Sequence, residues 1–293
     1  MFIVIAAFLW SLDGLLRRSL YVLPPIIIVF YEHLLGSLLI LPFLFTEFFR
    51  GEKKLTPKEI SALLWVSLVS GVLGTLFYTT ALAKINYIQF SVVVLLQQLQ
   101  PIFAIAAAHL ILREPVTKTY LRWAILALIS AYFVSFPDLK VNLHTGTQTA
   151  IAAAFAIGSA FFWGSSTAVS RYGLLRLSHL TMTGLRFLIT TFMALGFVFA
   201  LGQSSRLAAP TSQQFLTVLV IALSTGLVAM VIYYRGLKHT QARVSTILEL
   251  FWPISAVFIS FFYYRESLTL TQLIGSAVLL FSIYKVSSLN RAS

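Results

Sequence analysis

The chain has 293 residues, of which 59% are hydrophobic and only 10% charged, and its mean hydropathy is +0.90. A water-soluble domain carries about 25% charged residues, so composition excludes one of any size and makes the bilayer the solvent. The net charge of +12 does not point to nucleic acid, because the Lys and Arg residues sit in short connections rather than along one basic stripe.

Ten apolar runs are long enough to span a membrane, near residues 2–20, 25–46, 60–82, 88–112, 117–136, 149–171, 179–202, 213–236, 243–263 and 268–287. The first lacks a basic leader and a small-residue cleavage signature, so it reads as a retained helix. It begins inside its apolar run, which suggests that a few native residues precede it. Turn chemistry marks breaks at Pro24-Pro25, Arg50 to Pro57, Pro137-Asp138, Gly202 to Pro210 and Lys238-His239-Thr240.

Ionisable groups inside hydrocarbon cost about 2.5–3.5 kcal/mol on insertion scales, so each should face protein or water. In the first span Asp13 lies one turn from Trp10 and four residues before Arg17, placed either to meet a substrate or to pair with that arginine. Glu32 and His33 in the second span diverge by about 100 degrees and should not share one environment, and pairing with another helix suits them better than a proton relay. In the fourth span Gln97, Gln98 and Gln100 precede Pro101, which removes a backbone donor and clashes with the Gln97 carbonyl. The helix should kink there. Gln97 is then the expected ligand contact, and Gln100 the expected hydrogen-bond link between helices. Arg186 in the seventh span is expected to hold a neighbouring helix or backbone carbonyls. Glu249 lies deep in the ninth span with no basic residue within a turn; buried without a cation, it either carries a coupled proton or hydrogen-bonds a facing helix as a neutral acid.

The chain is written twice. Trp10, Arg18 and His33 recur as Trp163, Arg171 and Arg186 at an offset of 153, and Pro101, Arg113 and Glu114 recur as Pro253, Arg265 and Glu266 at an offset of 152. Tyr78 pairs with Tyr233 once three extra residues in the first copy are allowed for, and Gln97 pairs with Glu249. With both termini inside, the inner segments hold Arg50, Lys53, Lys54, Lys58, Arg113, Lys118, Arg122, Arg171, Arg176, Arg235, Lys238, Arg243, Lys285 and Arg291. The outer ones hold only Arg17, Arg18, Lys84, Lys140, Arg206 and Arg265. This bias places both termini in the cytoplasm. Five spans per copy is an odd number, so the second copy enters inverted. The expected fold is an all-α integral membrane protein of ten transmembrane helices in two inverted five-helix repeats, residues 1–140 and 149–287, with a site near the midplane where the repeats meet.

Trp10-Ser11 and Trp163-Gly164, the Gly184-Leu-Arg-Phe187 run, Leu-Gln-Pro101-Ile-Phe, Phe-Trp-Pro253-Ile and the Arg-Glu pairs that close both fourth helices resemble the EamA family of the drug/metabolite transporter superfamily. The likeness covers essentially the whole chain. It implies a ten-helix inverted-repeat bundle, usually a bacterial inner-membrane exporter of amino acids or related metabolites, with helices 1, 3, 4, 6, 8 and 9 around the cavity. The chain departs from the family pattern at Gln100 and Trp252, where an acidic residue usually precedes the proline, and at His33, where an arginine is usual.

The sequence thus predicts a secondary transporter that exports a small metabolite such as an amino acid by alternating access, lined by Trp10, Asp13, Tyr78, Gln97, Gln98, Trp163 and Tyr233, with Glu249 as the proton-coupling group. Four aromatics around the cavity would suit a flat or amphipathic substrate. Nucleotide-sugar or lipid-linked sugar transport is the alternative, and would need basic loops facing the cavity. An intramembrane enzyme would need a paired acid and base at one depth, and a structural membrane subunit would need a partner. There are no cysteines, no phosphate-binding glycine loop and no metal-ligand spacing, so no cofactor or metal is expected. The expected partners are a small-molecule substrate and the lipid bilayer, with a homodimer left open and no nucleic acid.

Overall fold

The computed structural model describes residues 1–49, 55–84, 93, 96–135, 147–265 and 267–291. Every regular element among them is helical. We number the principal helices α1 (Phe2–Ser11), α2 (Asp13–Arg17), α3 (Pro25–Phe49), α4 (Pro57–Ala83), α5 (Gln100–Leu112), α6 (Lys118–Ser135), α7 (Thr147–Leu174), α8 (His179–Ala200), α9 (Ser212–Leu237), α10 (Ala242–Leu248), α11 (Phe251–Tyr264) and α12 (Leu270–Arg291). Their starts follow local chemistry. Thr56 with Glu59, and Thr211 with Gln214, form reciprocal capping boxes that satisfy the first amides of α4 and α9.

Seven described stretches are long and apolar enough to cross a bilayer: Pro25–Glu47, Pro57–Ala83, Ala150–Leu174, His179–Ala200, Ser212–Leu237, Ala242–Ile259 and Leu270–Leu289. They coincide with seven of the ten predicted spans. The other three are helical where described but fall short by that measure. The first is broken at Leu12 into α1 and α2. The fourth is described only at residue 93 and from 96 onward, where α5 supplies thirteen residues. The fifth, α6, carries Lys118 and Arg122 in its first turns. Arg50, Lys53, Lys54, Pro137, Asp138, Lys140 and Glu266 lie outside the described residues.

Helices α4 and α9 are interrupted at matching positions, each ten residues after its start. Residues Ser67–Gly74 of α4 and Ala222–Gly226 of α9 are wound as π-helix, which takes backbone carbonyls out of the usual i→i+4 ladder. At Pro101 the missing amide breaks the ladder, as the sequence leads one to expect, and α5 begins at Gln100; at its mate Pro253, α10 gives way to α11 across Glu249 and Leu250. In contrast, α7 runs unbroken for 28 residues. The closest helix partnerships are α12 with α6, α5 with α7, and α8 with α3. All three join a helix of one predicted repeat to a helix of the other, so the two copies interlock. Gly164 of α7 lets α5 approach, since a Cβ there would sit 2.5 Å from the Gln100 carbonyl oxygen.

Candidate functional site

The interruptions converge on one cavity. Its wall takes Trp10 and Asp13 from the first span, Glu32 and His33 from α3, Ser70 and Tyr78 from α4, Gln97 to Pro101 around the α5 start, Trp163 to Ser170 from α7, Arg186 from α8, Thr225 to Tyr234 from α9, and Thr246 to Pro253 from α10 and α11. All eight residues assigned to the site from the sequence line it.

Two aromatic pairs border this space. Trp10 meets Tyr233 with ring centroids 5.0 Å apart at 56°, and Trp163 meets Tyr78 at 5.1 Å and 50°. These are the residues that the duplicated sequence matched one to one. Each pair joins a helix of one copy to a helix of the other. The Trp163 indole donates to the Ser70 carbonyl at 3.1 Å, which the π-segment leaves available. Gly74 makes room for that ring, because a Cβ would stand 2.5 Å from its Cδ1 and Nε1.

Charge is distributed unevenly. Arg17 is 4% exposed and holds Asp13 through Nε and Glu32 through Nη2 at 2.8 Å, while Thr225 donates to the other Asp13 oxygen at 2.7 Å. The sequence reading counted Arg17 as an outer-loop residue. Instead, α2 carries it into the protein, where two carboxylates compensate the cost of burying it. The same cluster resolves Asp13 toward pairing. Glu32 and His33 are both buried in the cavity wall, yet they face different partners there, as expected. They do diverge, with Glu32 turned to Arg17 and His33 stacked on Phe187 at 4.9 Å while bonding the Val29 carbonyl.

Glu249 accepts hydrogen bonds from Tyr233 Oη at 2.7 Å, Gln100 Nε2 at 2.8 Å and Ser245 Oγ at 3.2 Å. No cation lies within ion-pair distance of it among the described residues. Gln100 therefore links α5 to the ninth span, as expected. Gln97 accepts from Ser159 at 2.6 Å and Gln98 donates to Ser135 at 2.6 Å, so both amides are partly spent on neighbouring helices. Arg186 contacts other helices, also as expected, donating to Tyr234 Oη and Ser70 Oγ, each at 2.8 Å. Gln98 Oε1, Ser166 Oγ and Thr246 Oγ1 are buried without a hydrogen-bond partner, and all three belong to cavity residues.

A second polar cluster, which sequence reasoning did not find, closes one end of the bundle. Arg113 adopts a left-handed conformation (φ 55°) at the end of α5 and turns Glu114 toward the start of α10. There Glu114 accepts from the amides of Ala242 at 2.8 Å and Arg243 at 2.9 Å and from Arg171 Nε at 3.3 Å. Arg171 also donates to the carbonyls of Leu237 and Thr240. Its sequence signals were the Arg-Glu pair and the repeated Arg171 taken separately, since the amides that Glu114 accepts from are backbone groups more than 120 residues away.

The EamA-like transporter family model matches this chain over residues 1–136 and again over 150–288. The chain belongs to the EamA-like transporter family. Among its relatives, "Riboflavin transporter ImpX" of Fusobacterium nucleatum is 34% identical over 290 residues, which cover 98% of this chain and 97% of that protein. "Protein LicB" of Haemophilus influenzae is 24% identical over 233 residues, 78% of each. A solved crystal structure at 16% identity superposes with a TM-score of 0.74 over 99% of this chain and 96% of that one, which is a likeness of fold. EamA membership makes this a multi-pass membrane transporter, and its apolar helices accord with that.

Proposed function

We propose that this EamA protein is a secondary transporter of a flat, amphipathic heteroaromatic metabolite of the riboflavin class, carried through the central cavity by alternating access. The observation that bears most weight is the pair of Trp–Tyr contacts of nearly equal geometry on one cavity. Aromatic faces bind planar rings by offset or tilted stacking, and the amides and hydroxyls around them suit the carbonyl and imide edge of such a ring. The 34%-identical relative bears riboflavin in its name. The amino acid implied by family resemblance has less support, because four rings exceed what an α-amino acid head needs.

The carrier is read as ten transmembrane helices in two inverted halves, residues 1–140 and 149–287, in the inner membrane with both termini cytoplasmic. The two separate family matches, the matched interruptions in α4 and α9, and the placement of basic residues support this. Moving Arg17 out of the outer count strengthens the charge bias. The substrate is met by Trp10, Tyr78, Gln97, Gln98, Trp163 and Tyr233, while Asp13 braces the wall through Arg17. Glu249 is the coupling group. Asp13 and Glu32 both pair with Arg17, which leaves Glu249 as the cavity carboxyl whose proton can come and go without an ion pair to break.

The test is binding. Purified protein should quench riboflavin fluorescence saturably, and Trp163→Ala or Trp10→Ala should weaken binding about tenfold or more, the loss of one stacking face. Absence of saturable quenching by the wild type would remove the flavin assignment.

A further inference from the structure

Arg186 lines the same cavity but belongs to neither aromatic pair. It is 5% exposed, and its planar guanidinium forks between two helices of opposite repeats, with Nη2 on Ser70 of α4 and Nη1 on Tyr234 of α9. Those same helices carry the two tyrosines of the aromatic pairs. Ser70 holds the Trp163 indole through its carbonyl. Tyr234 is next in sequence to Tyr233, their rings 5.9 Å apart, and its hydroxyl also meets Ser170 of α7 at 3.0 Å. One side chain thus reaches the supports of both Trp163 and Tyr233.

Its partners are neutral. Arg17 and Arg171 each have carboxylates, whereas no carboxylate lies within ion-pair distance of Arg186 among the described residues. Hydroxyls on two helices give such a group little countercharge but fix its position, because the fork is rigid and its two arms have set directions. Its symmetry mate, His33, makes no such bridge, bonding the Val29 carbonyl of its own helix. Among the described residues, the slot is therefore braced by Arg186 and not by its symmetry mate.

We propose that Arg186 is a positioning residue that sets the separation of α4 and α9, and so the width of the slot between the Trp163–Tyr78 and Trp10–Tyr233 pairs, making it a determinant of selectivity for planar ligands. This rests on the stacking role proposed above for those pairs. The arms can be cut singly, by Ser70→Ala or Tyr234→Phe, or together, by Arg186→Gln. Arg186→Lys keeps the charge but not the fork.

Two measurements separate this inference from the substrate assignment. Acrylamide quenching of tryptophan fluorescence in ligand-free protein should rise in Ser70→Ala and Arg186→Gln, and the rise should vanish when Trp163→Phe is added. Riboflavin affinity should fall about tenfold in Arg186→Gln, as expected for losing hydrogen bonds to a charged group. It should fall less in the single-arm variants, with Arg186→Lys in between. Unchanged quenching in Ser70→Ala and Arg186→Gln would overturn the bracing role whatever the flavin result. Changed quenching with unaltered riboflavin affinity would overturn the selectivity role. If the wild type binds no riboflavin while quenching changes as expected, the flavin assignment fails and the brace stands. Should Arg186→Gln fail to fold, Ser70→Ala and Tyr234→Phe carry the same comparisons.

Discussion

Glu114→Ala removes the contact that ties the end of α5 to the start of α10. The first amides of a helix have no intrahelical acceptors, and here the Glu114 carboxylate takes two of them, from Ala242 and Arg243, at 2.8 and 2.9 Å. Glu114 is 7% exposed and Ala242 fully buried, so water does not readily replace it. A buried donor left unsatisfied costs about 1–3 kcal/mol, which makes two of them about 2–6 kcal/mol. The negative charge beside the helix N-terminus adds a further 0.3–1 kcal/mol, roughly. Arg171 keeps its bonds to the Leu237 and Thr240 carbonyls, so its share of the penalty is small. The expected loss is about 2–7 kcal/mol. Glu114→Gln retains one carbonyl oxygen as an acceptor and should lose about half as much. Equilibrium unfolding in mixed micelles titrated with sodium dodecyl sulfate, followed by tryptophan fluorescence, measures the difference. A Glu114→Ala variant within about 0.5 kcal/mol of wild type, the range of an ordinary surface change, would refute the reasoning.

Other perturbations test the cavity. Gly74→Ala places a methyl 2.5 Å from the Trp163 ring and should weaken riboflavin binding in fluorescence titrations, whereas Gly196→Ala, with nothing within 4 Å, should not. Arg17→Leu leaves Asp13 and Glu32 buried without their shared cation and should destabilise by about 3–5 kcal/mol in the same unfolding assay; unaltered stability would contradict the buried ion cluster. Glu249→Gln keeps the shape of the Tyr233 and Ser245 contacts but cannot release a proton. Transport by this variant in proteoliposomes should no longer respond to a pH gradient, and a full response would exclude Glu249 as the coupling group.

Legibility in the sequence depended on where each partner lay. Trp10, Trp163, Tyr78 and Tyr233 were readable because duplication marks equivalent positions, and the structure joins them in two like pairs. The break at Pro101 was readable because proline's missing amide acts locally, and the same reasoning accounts for the break before Pro253. Arg17 was misplaced because its neighbour Arg18 and the nearby Pro24-Pro25 suggest a loop. Its second partner, Glu32, is 15 residues away on another helix. The π-segments of α4 and α9 have no local signature beyond small residues, and the groups that Gly74 and Gly226 face, Trp163 and Glu32, lie on other helices. Glu114 was visible only as half of a repeated Arg-Glu pair, because its donors are backbone amides, which carry no sequence identity.

The central claim is that a planar ring of the riboflavin class crosses the membrane through the slot between the two Trp–Tyr pairs. Counterflow of labelled riboflavin in proteoliposomes tests it most directly. Vesicles loaded with unlabelled riboflavin should accumulate label with wild-type protein, and accumulation should be lost with Trp163→Ala. No accumulation by the wild type, or accumulation that Trp163→Ala leaves unchanged, would contradict the account.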